Sequence, residues 1–186
     1  RTESDNRADA LEMAKMLKAL HDLPALTVAL VEGGAFGGGA GLVAACDMAV
    51  AAEGAGFCLS EVKIGLIPAT ISPYVIRAMG ARAAHRYFLT GERIDAAEAL
   101  RIGFVHRVVP AEELDNALDG LLKHLVSAGP AAARACKRLV IDVAEREINE
   151  QLIAATVEGI ADIRASAEGK EGVQAFLQKR KPAWLA

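Results

Sequence analysis

The spacing of apolar positions changes along the chain and divides it into elements. Over residues 5–20, Leu11, Ala14, Leu17 and Leu20 fall three apart along one stripe, which predicts a helix with Glu12 and Lys15 paired on its surface. Pro24 ends it. Residues 26–31 form an unbroken apolar run bounded by Pro24 and by glycines, the pattern of a short buried strand. Residues 40–46 are apolar and alanine-rich and predict a short buried helix, and residues 47–52 a further strand. Pro73 stands in the first turn of a helix that ends at Gly80, and residues 81–89 form another. Asp95-Ala96-Ala97-Glu98 is a capping-box variant opening a short helix that stops at Gly103. Residues 104–109 alternate as a strand with His106 pointing outward, and Pro110 opens a helix running to about Ala128. Beyond Gly129-Pro130 the pattern is helical to the end, with breaks near Val143 and Ser166 and apolar positions at Ile148, Leu152, Ala155 and Ile163.

The chemistry concentrates where the first strand turns into the short helix. Gly33, Gly34, Gly37, Gly38 and Gly39 lie in that turn. Amides at a helix N-terminus point outward, and without a Cβ a ligand can approach the backbone closely. Three readings compete. Close helix–strand packing explains one or two of these glycines. A dinucleotide loop is suggested by Gly39-Ala40-Gly41-Leu42-Val43-Ala44, which fits G-x-G-x-x-A, but the following helix is too short for that fold. The third reading is an oxyanion site for an acyl group, with a catalytic acid further along.

Composition narrows the field. The 186 residues suffice for one domain with a substantial core. Apolar residues make up 53% and mean hydropathy is +0.25, yet no apolar run is long enough to span a membrane. A net charge of −3 and a pI near 5.8 give no electrostatic case for nucleic acid or an anionic membrane. Cys46, Cys58 and Cys136 are odd in number and widely spaced, as in a cytoplasmic protein with reduced thiols, and show no metal-ligand spacing. From the polar start no signal peptide is expected. No metal site is expected.

Ala35-Phe36-Gly37-Gly38-Gly39 leading to Cys46-Asp47, then Phe57-Cys58-Leu59-Ser60-Glu61-Val62-Lys63-Ile64-Gly65-Leu66-Ile67-Pro68, resembles the enoyl-CoA hydratase/isomerase (crotonase) superfamily. Thr90-Gly91-Glu92-Arg93-Ile94-Asp95-Ala96 with Ala99, Gly103 and Val105, and the tail over residues 176–182, are similar to its later signatures. The resemblance implies an α/β fold, a crotonase-like superhelix of strand–strand–helix turns. Residues 1–128 then form the C-terminal portion of the core and residues 129–186 a helical trimerisation region. It also implies an upstream strand-rich segment supplying one of two oxyanion amides, which nothing in this sequence matches. Within the superfamily, Ile71-Ser72-Pro73-Tyr74-Val75-Ile76-Arg77 resembles bacterial methylglutaconyl-CoA and isohexenylglutaconyl-CoA hydratases of leucine and acyclic-terpene breakdown.

The same resemblance implies the site. The Gly38 amide is the second oxyanion donor, Glu61 is the catalytic acid–base, and Gly37, Gly38, Gly41, Ser60 and Ala69 contact the acyl-CoA. Gly41 departs from the family pattern, since hydratases usually carry a second glutamate there. With one carboxylate, hydration of a 2-enoyl-CoA comes first, Δ3,Δ2-enoyl isomerisation second, and a non-catalytic crotonase-fold subunit third. No cofactor is implied, because the coenzyme A thioester is itself the substrate. The implied assembly is a homotrimer or a dimer of trimers, with Lys179 or Lys181 as a candidate phosphate contact. Arg77 is read as pairing with an internal acid or with a substrate carboxylate, and His21 as a helix-terminal cation.

Overall fold

The computed structural model describes residues 2–186 and falls into two compact units, one ending at Leu118 and the other beginning at Asp119. The first unit opens with helix α1 (Glu3–His21), capped reciprocally: the Asp5 amide donates to Thr2 Oγ1 and the Thr2 amide to the Asp5 carboxylate. The expected Lys15–Glu12 pair forms at 2.8 Å. Its buried stripe, however, is rotated from expectation. Leu17 is fully buried and Met13 packs on the core, whereas Leu11 is 54% exposed.

Two strands follow, β1 (Val28–Val31) and β2 (Gly34–Phe36), and then helix α2 (Gly38–Ala45). The next turn repeats the order with β3 (Met48–Ala52), β4 (Gly56–Cys58), a 3-10 turn over Ser60–Ile64 and helix α3 (Ser72–Thr90). In each turn the first strand joins one sheet and the second strand another. β1 lies parallel to β3 with Val28 opposite Met48, while β2 lies parallel to β4 with Gly34 opposite Gly56. The resemblance implies a second strand in each turn, but the hydrophobic pattern alone does not place β2 or β4, because three-residue strands carry no periodic signal.

The unit is completed by β5 (Ile94–Asp95), α4 (Ala96–Arg101), β6 (Arg107–Val109) and a 3-10 turn leading into α5 (Leu114–Ser127). The sheets run β1-β3-β6, all parallel, and β2-β4-β5, with β5 antiparallel. This strand–strand–helix repeat is the one that the resemblance implies. Alanines at 49, 51 and 55 line the core that holds Phe57, whose ring meets Phe104 edge-on at 5.2 Å. Small side chains let the two turns stack closely, and packing at that density leaves little room for added volume.

One polar clamp sets the register of β1 against β3. Thr27 donates its amide (2.7 Å) and hydroxyl (3.0 Å) to Asp47 Oδ2, and the Asp47 amide donates back to Thr27 Oγ1 at 2.9 Å. α3 breaks at Gly80 (φ 77°), as the sequence suggests. The capping box at residues 95–98 is only half formed. The Glu98 amide donates to Asp95 Oδ1 at 2.8 Å, but the Glu98 carboxylate turns to Tyr87 and Arg101. Phe104 and Val105 are buried ahead of β6 rather than forming part of it. His106 is exposed, as expected, and accepts a hydrogen bond from the Ala49 amide at Nδ1.

The second unit is helical: the end of α5, then α6 (Pro130–Val143), α7 (Glu150–Ala165) and α8 (Ala167–Leu177), closed by a 3-10 turn over Ala183–Leu185. Glu168 accepts from the Ala131 and Ala132 amides at 2.9 and 2.8 Å, capping α6 from a distant helix. Arg180 pairs with Glu171 at 2.6 Å, which holds that carboxyl down at about 2. No helix among the described residues is long and apolar enough to cross a membrane.

Candidate active site

The bend between β2 and α2 is shaped by Gly37. Its amide donates to the Cys58 carbonyl at 2.9 Å, extending the β2–β4 pairing by one bond, and its φ of 50° then turns the chain into the helix. L side chains rarely adopt that angle, so glycine is required here. No side chain caps α2, and among the described residues the Gly38 and Gly39 amides make no hydrogen bond. Those amides sit at the positive end of the helix, where a developing negative charge is stabilised. Met13 from α1 covers Gly38 from the other side: a Cβ there would lie 2.8 Å from the Met13 methyl.

Glu61 enters from the second turn. Leu59, 1% exposed, anchors the end of β4, and the 3-10 turn that follows is closed by Gly65 in the left-handed region and by the Leu66 amide donating to the Glu61 carbonyl at 3.0 Å. The Glu61 carboxyl is thereby brought against the glycine bend. A Cβ on Gly37 would lie 3.1 Å from its Oε1. Its Oε2 is buried and accepts no hydrogen bond among the described residues. A carboxylate oxygen left in that condition inside a fold calls for a partner from outside the chain, a water or a ligand.

The remaining expected positions spread around this pair. Ser60, half-buried, precedes Glu61 in the same turn. Ala69 is exposed in the tight turn before α3, where its carbonyl accepts from Ser72 Oγ at 2.8 Å. Gly41 is buried one turn into α2 and faces Ile71, and a Cβ on it would lie 2.8 Å from the Ile71 Cβ. Arg77 is exposed and makes no ion pair among the described residues, so the expected internal pairing is absent. His21 meets the Tyr74 ring edge-on at 5.4 Å. Sequence reasoning missed Met13 and Ile71. Both are apolar residues that reach the bend across a gap in sequence, and neither carries a local signal.

A family model described as enoyl-CoA hydratase/isomerase matches residues 2–186. The chain belongs to that family. Among its relatives, an enoyl-CoA hydratase, AKT6-1, of Alternaria alternata is 35% identical over 92% of this chain and 57% of its own length. A carnitinyl-CoA dehydratase of Salmonella paratyphi A is 35% identical over 90% of this chain and 66% of its own length. The crystal structure of an enoyl-CoA hydratase from Shewanella pealeana superposes with a TM-score of 0.95 at 46% identity, covering 99% of this chain and 69% of that one. The chain thus spans between about half and about two thirds of the length of these relatives. The names of the family and of these relatives refer to coenzyme A thioesters.

Proposed function

We propose that the protein is an enoyl-CoA hydratase that adds water reversibly to a 2-enoyl-CoA, with a branched, glutaconyl-type acyl group as the favoured substrate. The observation that carries the reading is the Glu61 carboxyl, one oxygen buried without a partner and the other against the glycine bend. In the proposed step the oxygen of water bonds to C3 of the enoyl group. The proton it gives up passes through Glu61 to C2, and the double bond is consumed with no change of redox state. Charge that develops on the thioester oxygen is met by the Gly38 amide, and one such donor contributes about 2.7–4 kcal/mol. Coenzyme A belongs to the substrate, so the scheme calls for no prosthetic group. Names of relatives that act by adding or removing water support this direction.

One observation favours a second reading. Gly41 leaves the site with a single carboxylate, which is enough to carry a proton between carbons, as in Δ3,Δ2-enoyl-CoA isomerisation. Incubating the protein with crotonyl-CoA and with methylglutaconyl-CoA in heavy-oxygen water separates the two. Label in a 3-hydroxyacyl product is expected, and migration of the double bond without label would favour isomerisation instead.

The proposal includes assembly as a homotrimer or a dimer of trimers in the cytoplasm. Support comes from the second unit, where the adjacent Phe176 and Leu177 at the end of α8 are 82% and 72% exposed. The three free cysteines suit a reducing compartment.

A further inference from the structure

Glu61 belongs to a short closed circuit. The Gly37 amide donates to the Cys58 carbonyl, only Leu59 and Ser60 separate Cys58 from Glu61, and the Glu61 carboxyl returns to Gly37. Phe57 and Leu59, both buried in the main core, hold this segment by apolar packing. Such packing has no direction, so it does not set how far the carboxyl reaches.

The directional contact comes from the end of α3. Gly91 is buried there, and its left-handed φ of 56° lets its amide close the helix on the Tyr87 carbonyl at 3.0 Å. The Gly91 carbonyl accepts a hydrogen bond from Cys58 Sγ at 3.2 Å. The residues that follow Glu61 close over the same glycine: a Cβ on Gly91 would lie 3.1 Å from Val62 Cγ1 and from Lys63 Cε. The residue that caps α3 thus touches the chain both ahead of Glu61 and behind it.

We propose that Cys58 is a positioning residue, whose thiol, held on the Gly91 carbonyl, sets how far the Glu61 carboxyl stands from the glycine bend. The assignment rests on Glu61 moving the proton, as read above, and applies to hydration and to double-bond migration alike. A thiol is a weak donor, so the bond adds little to stability. Its effect is on geometry. Proton transfer needs the carboxyl within hydrogen-bond reach of the atom it serves, and small misplacements slow it steeply.

Three substitutions in the full-length protein separate the donor from the volume it fills. Cys58→Ser keeps a donor and loses volume, Cys58→Val keeps volume and loses the donor, and Cys58→Ala loses both. On the acyl-CoA that the parent turns over best, Cys58→Val and Cys58→Ala are expected to lower kcat by about 10-fold with KM little changed, and Cys58→Ser to stay within about threefold of the parent. A thiol that only fills space gives the opposite order, with Cys58→Val nearest the parent. Any result in which Cys58→Ser fails to exceed Cys58→Val overturns the proposal.

Hydrogen exchange reads the same clamp without turnover. The Gly37 and Leu66 amides donate to the Cys58 and Glu61 carbonyls, and the Met48 amide donates to the Thr27 carbonyl away from the site. Gly37 and Leu66 are expected to exchange about 10-fold faster in Cys58→Val than in Cys58→Ser, with Met48 alike in both. Equal exchange at Gly37 and Leu66 overturns the clamp. A parent that turns over no enoyl-CoA removes the role given to Glu61 above, while the exchange series still judges whether the thiol holds the segment.

Discussion

Glu61 and Glu98 are carboxylates of the same unit in opposite circumstances. Glu98 is fully engaged: the Tyr87 hydroxyl donates to it at 2.6 Å, and Arg101 donates from Nε at 2.5 Å and from a terminal nitrogen at 2.7 Å. Arg101 first and Tyr87 second hold it at about 2, against the opposing effect of desolvation. Tyr87 is pushed up to about 12, mainly by burial and then by its bond to Glu98. The Glu61 Oε2, by contrast, is enclosed without a donor among the described residues. Leaving a buried acceptor unmet costs on the order of 1–3 kcal/mol, more when it is charged. A satisfied acid ties helices together, and an unsatisfied one is retained where something else completes it.

The contrast is open to attack at three points. The largest effect is expected from Glu61→Gln. It should lower kcat on the preferred acyl-CoA by about 10²–10⁴-fold while leaving the melting temperature near that of the parent. Glu98→Gln should do the reverse, lowering the melting temperature with kcat retained. If both variants lose stability equally and neither loses turnover, the two acids are alike and the comparison collapses.

Gly37→Ala should come next. It forces an L residue to a φ of 50° and sets a methyl 3.1 Å from Glu61 Oε1, so denaturant unfolding should show a loss of roughly 1–3 kcal/mol, with reduced kcat.

The smallest effect is read by titration. Tyr87, raised from an ordinary 10.0 to about 12, contributes stability that is whole below pH 10 and lost as pH rises toward 12. Glu98, lowered from 4.5 to about 2, contributes stability that is whole above pH 4.5 and lost as pH falls toward 2. Tyr87→Phe should therefore remove the ultraviolet tyrosinate step near pH 12 and reduce stability modestly at neutral pH, with turnover unchanged.

Much of this fold is legible in the linear sequence wherever a local rule operates alone. The breaks at Gly80 and at Gly129-Pro130 follow from glycine and proline geometry, and the Lys15–Glu12 pair follows from helical spacing. Legibility fails where a distant partner decides. Leu11 fits the apolar stripe, but Met13 faces inward because α2 and its glycines lie on that side. Glu98 has the spacing of a capping residue, yet Tyr87 and Arg101 are better partners for its charge than a backbone amide. β2 and β4 exist because they pair with each other, which neither segment announces alone. At the site, Glu61 and the glycine bend are visible as motifs, but the closure of position 41 by Ile71 depends on a contact between α2 and the entry to α3.

The Thr27–Asp47 clamp stands at the start of β1 and β3, and the glycine bend at the opposite, carboxyl end of the same turn. The distance between anchor and chemistry is therefore measured in residues, like a ruler fixed at one end. Deleting or inserting a single residue within β1 would leave the clamp intact yet slide Gly37 one step out of phase. Its left-handed torsion would fall on a neighbour, and the carboxylate across the gap would face the wrong backbone atom. Length variation is thus expected to be tolerated ahead of Thr27 and forbidden between it and the bend.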